Sequence, residues 1–394
     1  LSHRECVVGL LNVLKADVIW CVLVVKPTRG RSTLRDCFDI GTCDINQIAL
    51  QSYSMTEYEP VNSPDATTVF SYHDLTPPTV ADIYDARSTV NQHLPRTPLV
   101  RSEFLSTELN AEVYLKREDT LPTGAFKVRG GITLASQLDE RFQEQGFIAA
   151  STGNHGQSVA YAGRTFGIPV TVVVPEEANE SKVAAMERLG AEVLFSGADF
   201  DDAREHAESL AAEKGYRYVH SANEPALISG VGTAGLEIVE ELPDLDYLFC
   251  PIGGGSSAAG YCLTVGALTE ASVIGAQSEA APAMYRAYSE GHLQPHDRME
   301  TFAEGIATRV PFALTTNILR ERLDEFRLVS EDSLKQGVAD LYLNETIPME
   351  GACAASVAAM RTFADNIAGK TVALPVSGRN IELDKLQSIC NERM

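Results

Sequence analysis

Phe147-Ile-Ala-Ala-Ser-Thr-Gly-Asn-His-Gly-Gln-Ser-Val-Ala-Tyr-Ala-Gly-Arg-Thr-Phe-Gly-Ile-Pro-Val-Thr-Val-Val-Val-Pro175 decides the fold. An apolar run over 147–151 gives way to a polar turn, then to an amphipathic stretch carrying Val159, Ala160 and Phe166, then to a second apolar run over 170–175. That is a strand, a helix and a strand, and strands without alternation are apolar on both faces. Outward from this unit, Glu112–Arg117, Glu192–Phe195, Tyr216–His220, Tyr247–Ile252 and Ser272–Gln277 read as further strands. Between them, Phe200, Ala203, Ala207, Leu210 and Ala211 recur at helical spacing, with acids early and Gly215 placed to end the helix. Strands alternating with helices predict an α/β protein with a mostly parallel sheet covered on both sides.

The chain has 394 residues and 44% hydrophobic content, enough for a large core in two lobes. Its 32 Lys/Arg against 54 Asp/Glu give a net charge of -22, which argues against nucleic acid or an anionic membrane as partner. Residues 1–54 hold six Lys/Arg and five Asp/Glu, so the acid excess lies wholly beyond them, where only seven lysines occur. High acid with little lysine predicts a surface suited to high salt.

Residues 1–54 also hold the lone tryptophan, Trp20, and Cys6, Cys21, Cys37 and Cys43. The apolar stretch Cys6–Val25 is interrupted by Lys15 and Asp17, which makes a poor membrane span, and no small-residue cleavage site follows a basic flank. The expectation is that 1–54 is a non-native or disordered extension, the native chain starting at Met55; a partner-binding arm is the other reading. Cys250, Cys262, Cys353 and Cys390 lie far apart without a CxxC and read as reduced, buried side chains of a cytoplasmic protein.

Three segments fall at strand-to-helix junctions, where α/β folds bind ligands. Thr123-Gly-Ala-Phe-Lys-Val-Arg-Gly-Gly131 sets Lys127 between Phe126 and Val128, ahead of a helix expected to begin near Arg129. An amine in a partly apolar junction loses its proton more easily, as a Schiff-base nucleophile must. A surface lysine at a helix start is the plain alternative, although a cation there opposes the helix dipole. Ser151-Thr-Gly-Asn-His-Gly-Gln157 offers hydroxyls, an amide and backbone N–H groups to a carboxylate or phosphate, or else merely caps its helix. Pro251-Ile-Gly-Gly-Gly-Ser-Ser-Ala-Ala-Gly260 lets backbone approach a phosphate through Gly253, Gly254 and Gly255, with Ser256 adding a hydroxyl. It matches neither GxxxxGK[ST] nor GxGxxG with a following acid, so a triphosphate or dinucleotide is disfavoured.

Lysine, polar nest and phosphate cradle, in that order, together with PLV (98–100), YLKRED (114–119), GAEV (190–193), AEGIA (303–307) and PVSGRN (375–380), resemble the second fold type of pyridoxal phosphate enzymes, and within it the threonine/serine dehydratase group. The resemblance covers about residues 75–394. It implies two open, twisted, mostly parallel sheets flanked by helices, a large domain from 55–146 plus 224–394 and a small mobile domain from 147–223. It implies pyridoxal 5'-phosphate as cofactor, bound as a Schiff base by Lys127 next to Phe126, with Asn154 partnering the ring oxygen. Gly253, Gly254, Gly255 and Ser256 would hold the phosphate, and Ser377 the ring nitrogen. Ser151, Thr152, Gly153, Asn154 and His155 would bind the substrate carboxylate. The implied reaction is β-elimination from a hydroxy-amino acid, threonine or serine, to a 2-oxo acid and ammonia, in a homodimer or tetramer.

Departures from the pattern sharpen that expectation. Val128 and His155-Gly156-Gln157 favour a dehydratase over a threonine synthase, and Thr152 in place of a second serine disfavours a racemase. Gln277 stands where metal-binding members carry glutamate, so no metal is expected. From another class, a non-catalytic phosphate- or nucleotide-binding protein using the glycine loop stays open. Glu304 and Glu350 are read as ring-lining or capping carboxylates, Arg379 as a substrate contact or a surface group, and Lys116–Asp119 as a lock on the loop near the cofactor. Asp199–Glu208 is read as a solvated helix face, and Met349 and Met360 as core.

Overall fold

The computed structural model describes residues 75–393, together with two N-terminal strands, β1 (Val8–Val13) and β2 (Trp20–Val25), which pair antiparallel as a unit of their own. Apart from these strands, the expectation about residues 1–54 lies outside the described residues. The remaining strands are β3 (Leu99–Arg101), β4 (Glu112–Lys116), β5 (Phe147–Ala150), β6 (Val170–Val174), β7 (Glu192–Phe195), β8 (Arg217–Tyr218), β9 (Tyr247–Pro251), β10 (Ser272–Ser278), β11 (Glu325–Val329) and β12 (Thr371–Pro375).

They form two sheets. Six strands run in the order β11-β10-β9-β12-β4-β3, all parallel except the edge strand β3, and four parallel strands run in the order β7-β6-β5-β8. Every residue of β5 and β6 is buried, as are the last four of β9 and of β12, because helices cover both faces. The expected α/β architecture of two mostly parallel sheets is therefore present.

Local signals set the ends. Asp199 caps the helix Phe200–Lys214 by accepting from the N–H of Asp202, and Gly215 ends it in the left-handed region at φ 77°. The strand expected at Tyr216–His220 shrinks to Arg217–Tyr218, because His220 turns away so that its Nδ1 can accept from the N–H groups of Ala222 and Asn223. The helix expected near Arg129 begins two residues earlier, at Lys127.

The strand order positions the site. β12 lies between β4 and β9, so the carboxyl ends of three adjacent strands deliver Ser377, the segment leading to Lys127 and the Gly253–Gly255 turn to one edge. β5 delivers Ser151–Asn154 from the other sheet. Among the described residues no helix is long and apolar enough to cross a membrane.

Candidate active site

The segments from the two sheets enclose a cavity of about 440 Å³, and all twelve residues singled out from the sequence line it. Lys127 opens the helix Lys127–Ser136, and its Nζ donates to the Ser221 carbonyl at 2.8 Å and to Ser256 Oγ at 3.2 Å. Among the described residues no carboxylate pairs with it, and burial alone lowers its pKa from 10.5 to about 8. The ring of Phe126 lies 5.6 Å from the same nitrogen.

The glycine loop is a cradle that side chains would fill. A Cβ on Gly253 would stand 2.1 Å from the Gly305 carbonyl, and one on Gly254 3.0 Å from both Ala222 and Phe312. Gly255 sits at φ 85° and turns the chain into the helix Ser256–Leu268. Backbone bare of side chains, a hydroxyl and a helix N-terminus beside a half-buried amine suit a phosphate and an aldehyde, so these residues fit pyridoxal phosphate.

Ser151, Thr152, Gly153, Asn154 and His155 form the turn into the helix Asn154–Phe166. Ser151 is itself a cap, since its Oγ accepts from the N–H groups of Gly153 and Gly156. His155 Nε2 lies 3.0 Å from the Val219 carbonyl, and burial holds the ring neutral with a pKa of about 3. The Nε2 proton is thereby committed, which leaves Nδ1 as an acceptor. The imidazole is therefore not a donor to a substrate carboxylate. Asn154 donates through Nδ2 to both oxygens of Glu350 and accepts at Oδ1 from Asn380. Ser377 Oγ contacts Cys353 Sγ at 3.0 Å.

Several outcomes differ from the sequence reading. Asp199–Glu208 is not merely a solvated face: Asp199, Asp201, Arg204 and Glu208 line the cavity, because the first turns of their helix lie at its rim, with Arg309 3.2 Å from Asp201. Glu350 precedes the helix Gly351–Arg361 without capping it. Glu304 bridges Lys182 and Lys385. Arg379 is exposed and holds the lysine segment through its backbone, donating to the Gly124 carbonyl at 2.9 Å. Met349 and Met360 are core, and Cys250, Cys262, Cys353 and Cys390 are free and buried. Lys182, Lys385 and Phe312 also line the cavity, and no sequence motif marked them.

The lock near Lys127 is deeper than expected. Arg129, wholly buried, pairs with Glu118 at 2.7 Å and with Glu237 at 2.8 Å, and Lys116 meets Glu237 at 2.7 Å. Burial pushes Glu237 upward, but Arg129 and Lys116 outweigh it and bring its pKa down to about 2.

L-threonine ammonia-lyase of Thermotoga maritima is 37% identical over 315 residues, covering 80% of this chain and 78% of the relative. The catabolic L-threonine dehydratase of Staphylococcus aureus is 33% identical over 79% of this chain and 91% of its own. Among solved structures, the processed form of threonine deaminase isoform 2 from Solanum lycopersicum superposes with a TM-score of 0.75 at 28% identity, covering 80% of this chain and 95% of that one. Maize serine racemase does so with 0.75 at 25% identity, covering 81% and 98%. The family model for pyridoxal-phosphate dependent enzymes matches residues 90–378, and the chain belongs to that family.

Proposed function

We propose that this enzyme dehydrates and deaminates a hydroxy-amino acid, threonine or serine, to a 2-oxo acid and ammonia. The observation that carries the reading is the cavity in which a half-buried Lys127 amine, without a carboxylate partner among the described residues, faces the glycine cradle and Ser256. The likeness to threonine ammonia-lyases and dehydratases supports the same chemistry.

Bound through Lys127, pyridoxal phosphate supplies the electron sink that acidifies the α-C–H of the amino acid. The chain's residues do the rest. Lys127, with its pKa lowered to about 8, is neutral often enough near neutral pH to take the α-proton at Nζ. Ser377 offers a neutral hydroxyl to the ring nitrogen and places no negative charge there, which limits carbanion build-up and favours prompt loss of the β-hydroxyl. The turn Ser151–His155 holds the substrate carboxylate through hydroxyl and backbone donors rather than through the His155 ring. The small domain, 147–223, closes on the large one to exclude water until elimination is complete. The enzyme works in the cytoplasm as a homodimer or tetramer, and its acidic surface suits high salt.

Release of oxo acid and ammonia from L-threonine, L-serine and 3-hydroxyaspartate by the cofactor-loaded enzyme tests this reading. Turnover of at least one, together with visible absorption that borohydride abolishes, is the expected result. Binding of the cofactor without elimination from any of them overturns it.

A further inference from the structure

Glu350 is the one cavity carboxylate whose bonding raises a question the reaction above leaves unanswered. It is half-buried, faces the cavity and, among the described residues, pairs with no cation; its side-chain hydrogen bonds come from Asn154 Nδ2, at 2.9 Å to each oxygen. The direction of the Asn154 amide is fixed from its other end. Asn380 Nδ2 donates to the Thr123 carbonyl at 3.0 Å and to Asn154 Oδ1 at 2.7 Å, so Asn154 must present its oxygen to Asn380 and its nitrogen to Glu350. The chain of bonds links the segment before Lys127, the segment after Ser377, the Asn154 turn and Glu350. Room for the carboxylate is made by Gly378, where a Cβ would stand 2.5 Å from Glu350 Oε1.

We propose that Glu350 is a positioning residue: its carboxylate engages one N–H of the Asn154 amide across both oxygens and, with Asn380 at the other end, fixes the amide so that its second N–H is left for the cofactor's ring oxygen. The inference rests on the reading of Asn154 as a cofactor partner. Holding an unpaired carboxylate here costs stability, because burial raises its pKa above the ordinary carboxylate value. Above that ordinary value the folded protein carries a charge it disfavours, so Glu350 lowers stability at neutral pH while it orders the site.

The test compares pyridoxal phosphate affinity, from absorbance titration of apoenzyme, with thermal unfolding of the same apoenzyme at pH 7.5. In Glu350→Gln the dissociation constant is expected to rise about tenfold or more, as for loss of a charged hydrogen-bond acceptor, while Tm stays level or rises. Gly378→Ala, which crowds the carboxylate without deleting it, should weaken binding in the same direction; if it fails to fold, Glu350→Gln decides alone. Unchanged affinity in Glu350→Gln, or a fall in Tm alongside lost affinity, overturns the proposal, the latter by making Glu350 a strut. Asn154→Ala separates the two levels: if it binds cofactor normally, the reading of Asn154 fails; if it binds weakly while Glu350→Gln does not, only the Glu350 inference fails.

Discussion

Lys127 Nζ stands 3.2 Å from Ser256 Oγ, so the nucleophilic amine and the first residue of the helix that follows the glycine loop share a hydrogen bond across 129 positions of sequence. Among the described residues the other partner of the amine is a carbonyl, and nothing anionic holds its proton. Capture of pyridoxal phosphate by the apoenzyme should therefore accelerate with pH to a plateau just above about 8, rather than following a free lysine near 10.5. Between those two values the unfolded chain keeps a proton that the folded one has lost, so apoenzyme stability rises with pH there, and Lys127→Met removes that rise. Lys127→Ala should lower turnover at least about a thousandfold. Stopped-flow absorbance and urea titrations across pH 7–11 check these outcomes; a capture rate still climbing at pH 10 sinks the first.

The glycine loop makes a packing prediction. Gly253→Ala would push a methyl group to 2.1 Å from the Gly305 carbonyl, a backbone atom that cannot rotate away. The loop must shift, at a cost of about 1–3 kcal/mol, and cofactor retention on gel filtration should drop sharply. Gly254→Ala meets Ala222 and Phe312 at 3.0 Å and should do less damage. Equal retention in wild type and Gly253→Ala would show that the loop has slack.

The uninterrupted apolar runs of β5, β6 and β9 announced a covered parallel sheet because burial on both faces removes alternation. β3 and β11 escaped notice for the converse reason: one has three residues, and the other exposes Arg327 at a sheet edge. β12, as long as β6 and β9, was overshadowed by the polar string that follows it, although it is a central strand. The lysine, the asparagine turn and the glycine loop were legible because their residue types are unusual at a strand-to-helix junction. The roles of Asp201, Arg204, Lys182 and Lys385 were not, since an amphipathic helix in sequence looks the same whether its polar side meets water or a cavity. Glu350 was visible only as a family-like string; its bond to Asn154 spans 196 residues.

At the cavity rim, Glu304 accepts from Lys182 and, at 2.9 Å, from Lys385. Half-exposed pairs of this kind contribute less than about 1 kcal/mol, so Glu304→Gln should barely move the unfolding midpoint. The proposed closure of the small domain is where it should register. Lys182 belongs to the helix Glu180–Arg188 beside the four-stranded sheet, and Lys385 to the C-terminal helix Leu383–Asn391. Glu304→Gln should therefore raise KM and flatten its dependence on ionic strength between 0.05 and 0.5 M, because screening weakens the wild-type pairs and has less to act on in the variant. Parallel salt profiles of wild type and variant would remove Glu304 from the closing motion.

Arg129 carries the largest stability prediction. It binds Glu118 through Nε and Nη2, and Glu237 through Nη1 and Nη2, at 2.7 to 2.9 Å, with Lys116 completing a cluster of two cations and two carboxylates. Arg129→Met leaves Glu118 buried without its guanidinium, and Glu237 with Lys116 alone, at a cost of about 3–5 kcal/mol. Arg129→Met combined with Glu118→Gln should cost less than the single change, because the stranded charge is removed with its partner. Acid makes an independent check. The folded pKa of Glu237 is about 2 against an ordinary value of 4.5, so its share of stability is present above the ordinary value and disappears as pH falls toward 2. In Arg129→Met that loss should be smaller and complete at higher pH, since only Lys116 still holds the carboxylate ionised. Urea midpoints measured from pH 7 to pH 3 should therefore converge for the two proteins at the acid end. A constant gap over that range would place the cost of the substitution in packing rather than in charge.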